Sequence, residues 1–263
     1  SAIEVRHLTK QYLGFALKDV SFQIPEGSVV GFIGENGAGK STTIKVILDL
    51  IKRDGGEITL LGEPDGAKDE TLKEQIGVVF DENCFPDYLN RRDVNRMLKA
   101  IYGGWQEERF GKLCDRFGLP GKQMIKEYSR GMKMKLSIAA AMSHQARLLI
   151  LDEALSGLDP VVRAEILDML REFVMDERHT VFLSSHITSD IEKIADYILL
   201  IEDNSVRRIR GRNFRKLVYD RYFDAAYLET DRKKQELEAS IEAALQRDDL
   251  TEADKLCARL ESL

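Results

Sequence analysis

Short runs of apolar and β-branched residues alternate along the chain with segments whose apolar residues recur at helical spacing. Runs of this length and composition are typical of buried strands. They predict strands at residues 3–8, 20–24, 29–33, 76–80, 148–151, 181–183 and 197–201, with a turn at 25–27. This alternation predicts an α/β fold with a mainly parallel sheet and helices on its faces.

The segments between these strands carry helix signals. Apolar residues spaced by three, four and seven follow Gly39, which predicts a helix directly after a glycine-rich loop. Asp159 and Pro160 supply a cap and a first-turn proline for a later helix, and Ser189 and Glu192 have capping-box spacing ahead of another. Residues 86–146 read as mostly helical and predict a helical subdomain inserted into the α/β core.

The last segment, residues 212–263, is charged and has neither glycine nor proline. Its apolar residues recur at helical spacing in two stretches, so we expect a helical accessory outside the domain formed by residues 1–211. The apolar face of each predicted helix needs a surface to pack against. That surface is the core domain, the other helix in a hairpin, or a second subunit.

Composition restricts the class of protein. Of the 263 residues, 43% are hydrophobic, which is ample for a core, yet no run approaches the eighteen apolar residues of a membrane span. The first residues lack the pattern of a signal peptide, and we expect a cytoplasmic protein. A net charge of -6 argues against nucleic acid as a partner. Three scattered cysteines predict reduced thiols.

The most specific chemical signal is the phosphate-binding pattern at residues 34–41. Gly34-Glu35-Asn36-Gly37-Ala38-Gly39-Lys40-Ser41 matches G-x-x-x-x-G-K-[ST] and lies between a predicted strand and a predicted helix. Glycines let backbone N–H groups converge on phosphate oxygens, and the helix N-terminus adds a positive dipole end. Lys40 is expected to reach the β- and γ-phosphates, and the Ser41 hydroxyl to ligate Mg²⁺. The sequence therefore predicts a site for ATP and Mg²⁺, to which Thr42 belongs as the next residue of the helix.

A second signal is the apolar strand 148–151, which ends in two carboxylates, Asp152 and Glu153. The carboxyl edge of such a sheet is where ligands bind. Asp152 is expected to hold Mg²⁺, directly or through water, and Glu153 to polarise the water that attacks the γ-phosphate.

The order of motifs from about Ile3 to Gly211 resembles that of ATP-binding subunits of ABC transporters, particularly bacterial drug and peptide exporters. Residues 128–132, Tyr-Ser-Arg-Gly-Met, resemble the signature L-S-G-G-Q of that family. Residues 156–159 resemble its D-loop, and Ser184-Ser185-His186 resembles its switch-histidine loop. The resemblance implies a P-loop NTPase (RecA-like) core with an N-terminal antiparallel β subdomain.

The same resemblance implies roles for further residues. Tyr12 stands where the family usually has an aromatic that stacks on adenine. Two ATP-binding domains, most simply a homodimer, would close head to tail, with Ser129 and the N–H of Gly131 on the γ-phosphate of the facing subunit. His186 would contact the same phosphate and hold the attacking water. Hydrolysis would then drive a separately encoded membrane permease, so the chain is expected to be an ATPase on the cytoplasmic face of the membrane, working in export.

Two positions depart from the family pattern. Asp81 occupies the place of a glutamine and keeps an oxygen for Mg²⁺, but it is shorter and adds negative charge. In the signature, Arg130 replaces a glycine and Met132 a polar residue. Arg130 is expected to point to solvent along with Lys133 and Lys135, the alternative being a contact with phosphate.

The residues leave other functions to compare. Phe85, Pro86, Tyr88 and Leu89 follow Asp81 and either receive a helix of the membrane partner or pack in the core. A soluble ABC-type ATPase acting on ribosomes or DNA is disfavoured by the single phosphate loop and by the lack of coiled coils and zinc-ligand patterns. A nucleotide sensor without turnover is disfavoured because Glu153 and His186 are both present.

Overall fold

The computed structural model describes residues 1–186, 188–202 and 205–210, which fall within one compact unit. Its strands are β1 (Ile3–Tyr12), β2 (Phe15–Ile24), β3 (Val29–Ile33), β4 (Gly55–Leu60), β5 (Glu63–Pro64), β6 (Ile76–Phe80), β7 (Leu148–Asp152), β8 (Thr180–Ser184), β9 (Tyr197–Glu202) and β10 (Ser205–Arg210). The helices are α1 (Lys40–Ile47), α2 (Glu70–Lys73), α3 (Arg91–Ile101), α4 (Glu107–Arg116), α5 (Arg130–Ala141), α6 (Pro160–Phe173) and α7 (Thr188–Ile194).

Two sheets organise this unit. The larger has the order β10-β9-β3-β8-β7-β6, in which only the β9–β10 pairing is antiparallel among those the structure describes. The smaller, with the order β2-β1-β4-β5, is antiparallel throughout. A mainly parallel core beside an antiparallel subdomain is the predicted fold class, which is thereby confirmed.

Aromatic residues join the two sheets. Phe22 of β2 lies with its ring centroid 6.0 Å from that of Phe32 of β3 and 6.1 Å from that of Phe182 of β8. Phe32 and Phe182 are fully buried and 5.4 Å apart. Large apolar rings bury the most surface per residue, so this cluster fixes the small sheet over the strands that carry the site.

Most of the predicted strands and caps agree with the structure. The seven predicted strands are present within one or two residues at their carboxyl ends, except that β1 is longer and β2 begins earlier. Asp159 caps α6 by accepting a hydrogen bond from the Val161 N–H at 2.9 Å. The capping box predicted at Ser189 is wrong, because α7 begins at Thr188 and Ser189 lies inside its first turn.

The predicted inserted segment contains α3, α4 and α5. Asn90 and Asp93 form a reciprocal capping box at the start of α3, a signal that the sequence pattern also carries. The predicted accessory, residues 212–263, lies outside the described residues and stays a prediction. Within the described part of the chain, no helix has the length and apolar character needed to cross a membrane.

The described cysteines are unpaired thiols, as predicted for them. Cys84 is exposed and Cys114 is buried. Burial raises the pKa of the Cys114 thiol to about 12, so this cysteine behaves as a small apolar residue of the helical segment.

Candidate active site

The phosphate loop runs from the end of β3 to the start of α1, the context that the motif requires. Gly39 immediately precedes α1 with a φ of 104°, in the left-handed region that disfavours residues with a Cβ. A Cβ at this position would also lie 2.6 Å from Leu17 Cδ2 and 2.8 Å from Phe15 Cζ. Only glycine therefore allows the chain to turn into α1 beneath β2.

Lys40 is buried, with 5% of its surface exposed, and its side chain turns back into the loop. Its ammonium group donates hydrogen bonds to the Gly34 carbonyl at 2.7 Å and the Glu35 carbonyl at 3.2 Å. It also lies 3.4 Å from Glu153 Oε1. A buried ammonium held by carbonyl oxygens is placed to exchange them for phosphate oxygens, which bind a cation more strongly.

Asp152, at the carboxyl end of β7, is 5% exposed and accepts two hydroxyl hydrogen bonds. Ser41 Oγ donates to its Oδ1 at 3.0 Å, and Ser184 Oγ donates to the same atom at 2.7 Å. The Ser184 hydroxyl in turn accepts the Glu153 N–H at 2.9 Å. A hydroxyl and a carboxylate brought together from distant parts of the chain form the oxygen donor set that Mg²⁺ prefers, so the residues present fit that ion.

Glu153 has a left-handed backbone, with a φ of 50°. A left-handed backbone conformation costs a non-glycine residue about 1–3 kcal/mol of conformational free energy, and such residues cluster at functional sites. This left-handed residue comes directly after the end of β7. Its carboxylate lies between the Lys40 ammonium and the His186 ring. His186 donates from Nδ1 to Glu153 Oε2 at 2.7 Å, opposite the Lys40 ammonium near Oε1.

These groups open onto one cleft of about 530 Å³. Most of its lining was predicted from sequence: Asn36, Gly37, Gly39, Lys40, Ser41, Thr42, Asp81, Glu153 and His186. Gly34 and Ala38 belong to the same loop but do not line the cleft, and Asp152 reaches it through Ser41. Ser156 lines it too, from the segment that resembles the D-loop.

An aromatic pair stands at one side of the cleft. Phe15 lines it, whereas Tyr12, the residue expected to stack on adenine, does not. The two rings are stacked with centroids 6.4 Å apart, and Tyr12 is 43% exposed with the Lys10 ammonium 5.3 Å from its ring centroid. The sequence does not single out Phe15, because the strand that the pattern predicts begins only at residue 20, whereas β2 begins at Phe15.

We expect the Tyr12–Phe15 pair to form the adenine platform. Tyr12→Ala should weaken ATP binding about tenfold through loss of stacking area, and Tyr12→Phe should bind as the unaltered protein does. Fluorescent-ATP titration measures the difference. Unchanged affinity in Tyr12→Ala, with weakened affinity in Phe15→Ala, would transfer the platform to Phe15 alone.

The signature-like segment lies apart from this cleft. Ser129 caps α5, accepting the Met132 N–H at 3.2 Å, and neither Ser129 nor Gly131 lines the cleft of its own chain. Tyr128 is buried and donates its hydroxyl hydrogen to the Pro120 carbonyl at 2.6 Å. These contacts fix the start of α5 on the helical segment.

The expectation that Lys133 and Lys135 point to solvent is wrong. Lys133 Nζ lies 2.8 Å from Asp87 Oδ1, and Lys135 Nζ lies 2.6 Å from Glu165 Oε2. Both side chains are partly buried, which strengthens an ion pair relative to one fully in water. Arg130 is exposed, and its guanidinium lies over Gly157, where an added Cβ would be 2.9 Å from Nη1.

The apolar residues after Asp81 divide between the two roles considered for them. Phe85 is buried, so it packs in the core. Tyr88 is 75% exposed, although it lies only three residues further along the same loop. The exposed tyrosine leaves an unpacked aromatic surface beside the loop that carries Asp81.

Comparisons with known proteins show what the chain is similar to. The family model described as ABC transporter matches residues 17–156. The chain is 33% identical over 227 residues to the bacitracin transport ATP-binding protein BcrA of Enterococcus faecalis, spanning 83% of this chain and 74% of that protein. It is also 33% identical over 207 residues to the protein of that name from Bacillus licheniformis, spanning 78% and 68%.

Solved structures show the same fold. One, described as an ATP binding subunit of an ABC transporter, has a TM-score of 0.73 and 28% identity, covering 87% of this chain and 99% of that one. Another, a dimeric structure of a bacterial ABC transporter cassette, has a TM-score of 0.70 and 23% identity, covering 80% and 99%. The second likeness concerns the fold alone.

Proposed function

Since the chain belongs to the ABC transporter family as an ATP-binding and ATP-hydrolysing subunit, we propose that Lys40, Glu153 and His186 carry out its hydrolytic step. The observation that supports this most directly is the position of the Glu153 carboxylate, 3.4 Å from the Lys40 ammonium and 2.7 Å from His186 Nδ1 in the cleft. One oxygen is thereby oriented by a proton donor and the other faces a cation.

The chemistry follows from these positions. Lys40 exchanges its carbonyl partners for the β- and γ-phosphates, which leaves the Glu153 carboxylate free to accept a proton from the attacking water. His186 holds that carboxylate and reaches the γ-phosphate side of the cleft. When bound, Mg²⁺ would supply charge neutralisation on the phosphates, held by Ser41 and Asp152 with Asp81 close by.

The remaining site residues act on a second copy of the chain. We place Ser129 and the Gly131 N–H on the γ-phosphate of a facing subunit, because they begin a helix and do not line the cleft of their own chain. A head-to-tail homodimer then holds two ATP molecules between its subunits. Binding closes the dimer, and hydrolysis with phosphate release opens it.

The partner of this dimer is a separately encoded membrane permease, on whose cytoplasmic face the subunit sits. The relatives whose names specify bacitracin transport support a drug-like or peptide class of substrate, and export is the direction that we propose. We propose that the exposed Tyr88 contacts the permease, since an aromatic residue that is largely exposed beside the Asp81 loop is a typical interface anchor.

A pull-down from detergent extract tests the permease proposal. The tagged chain should carry a multispanning membrane protein identifiable by mass spectrometry, and Tyr88→Arg should reduce its recovery at least severalfold through loss of an aromatic anchor. Met175→Arg is the matched control, because Met175 is similarly exposed, at 82%, but follows α6. Equal recovery with both variants would remove Tyr88 from the interface, and absence of any membrane protein would contradict the permease.

A further inference from the structure

The two positions that depart from the family pattern, Asp81 and Arg130, line the same small cavity. It has a volume of about 190 Å³ and lies between the loop after β6 and the start of α5. Asp81 also lines the nucleotide cleft, so its carboxylate borders both spaces. The departures are thus neighbours in the fold although 49 positions separate them in the chain.

Neither charge has a partner of its own among the described residues. Asp81 and Arg130 make no ion pair or side-chain hydrogen bond there, whereas Lys133, the other cation lining the cavity, is occupied by Asp87 at 2.8 Å. Among the described residues that line this cavity, Arg130 is therefore the cation without another partner. The guanidinium presently lies over Gly157, whose φ of 67° and lack of a Cβ leave room for it.

The cavity also holds an acceptor without a donor. Asn83 Oδ1 is buried and makes no hydrogen bond, while its amide nitrogen donates to the Phe85 carbonyl at 2.6 Å. A guanidinium has five N–H donors in a planar fork and can serve a carboxylate and an amide oxygen together. Lysine, with a compact ammonium, could match the charge but not this geometry.

Asp81 and Arg130 carry opposite charges and border the same cavity. We propose that Arg130 is the counter-charge of Asp81, a positioning residue that competes with magnesium for the Asp81 carboxylate. Arg130 then links the loop after β6, the start of α5 and the loop at Gly157. This inference rests on the proposed function, in which Asp81 lies near the metal.

The test is a double-mutant cycle of Asp81→Gln and Arg130→Gln, read by magnesium titration of fluorescent-ATP binding. Arg130→Gln should lower the half-saturating magnesium concentration about threefold in the presence of Asp81, since an exposed charge pair contributes modestly. In the Asp81→Gln background the same change should have no effect. Arg130→Lys keeps the charge but loses the planar fork, so it should fall between the unaltered protein and Arg130→Gln, and added salt should shrink the differences. Lys135→Gln is the control on the same helix, because Lys135 pairs with Glu165.

A second readout does not depend on the metal. Urea unfolding of the four nucleotide-free proteins should show non-additive midpoints, with the double variant less destabilised than the sum of the single changes. Additive midpoints together with an equal magnesium shift in both backgrounds, or with none in either, would overturn the pair. If the unaltered protein fails to hydrolyse ATP, the proposed function fails, and the unfolding cycle still decides whether the two charges interact.

Discussion

Glu153→Gln is expected to bind ATP with unaltered affinity and to hydrolyse it about 10² to 10⁴ times more slowly. The amide keeps the size of the side chain and a carbonyl oxygen that accepts from His186, but it cannot take a proton from water. The Lys40 ammonium keeps its carbonyl partners in the phosphate loop, which do not involve Glu153. Nucleotide binding therefore separates from turnover in this variant.

Phosphate release measures the rate, and size-exclusion chromatography with Mg-ATP should show an accumulated dimer, because closure precedes hydrolysis. Glu108→Gln serves as the control, since Glu108 is exposed on α4 and pairs only with Lys112 among the described residues. Turnover at the level of the unaltered protein would remove Glu153 from the reaction. Slow turnover combined with lost ATP binding would instead assign Glu153 to the binding of nucleotide.

Lys40→Ala is expected to lose ATP affinity itself, by about a hundredfold, because hydrogen bonds to charged groups contribute about 1.5–3 kcal/mol each. The alanine leaves the Gly34 and Glu35 carbonyls without their donor and the Glu153 carboxylate without its nearest cation. Loss of the Lys40 ammonium makes the cleft more negative, which opposes the binding of a triphosphate.

Fluorescent-ATP titration reports the affinity, and circular dichroism checks that the variant is folded. Lys45→Ala is the matched control, because Lys45 lies on the same helix with its side chain exposed. A folded Lys40→Ala protein that binds ATP normally would contradict the phosphate-loop assignment. Equal losses in both variants would indicate a general charge effect.

The sequence predicted residues that line the cleft wherever one local motif carries its own context. Gly39 and Lys40 are contiguous, and β3 and α1 lie directly on either side of their loop. The spacing of the motif was therefore enough to predict their position. Asp152 and Glu153 were likewise marked by the apolar run before them. The fold class followed from the alternation of strand and helix patterns.

What the sequence did not predict depends on contacts between distant segments. Ser184 bridges Asp152 and the Glu153 N–H, but this requires the pairing of β7 with β8, in which Asp152 lies opposite Ser184. The ion pairs of Lys133 and Lys135 involve residues 46 and 30 positions away, so a helix-face pattern could not show them.

Some strands were also missed for local reasons. β4 begins with Gly55 and Gly56, residues that weaken a strand, and it is held by pairing with β1. β10 is rich in arginine, which obscures the apolar signal of a strand that, among the described residues, lies at the edge of the sheet and pairs only with β9.

The Ser184 hydroxyl has one further consequence. Its single hydrogen is donated to Asp152, and its oxygen accepts a hydrogen bond from the Glu153 N–H. The hydroxyl is therefore a donor to one residue and an acceptor from the next. Ser184 Oγ therefore positions both the Asp152 carboxylate and the Glu153 backbone. A sliding motion of β8 along β7 would therefore disturb the Asp152 carboxylate and the Glu153 backbone at the same time.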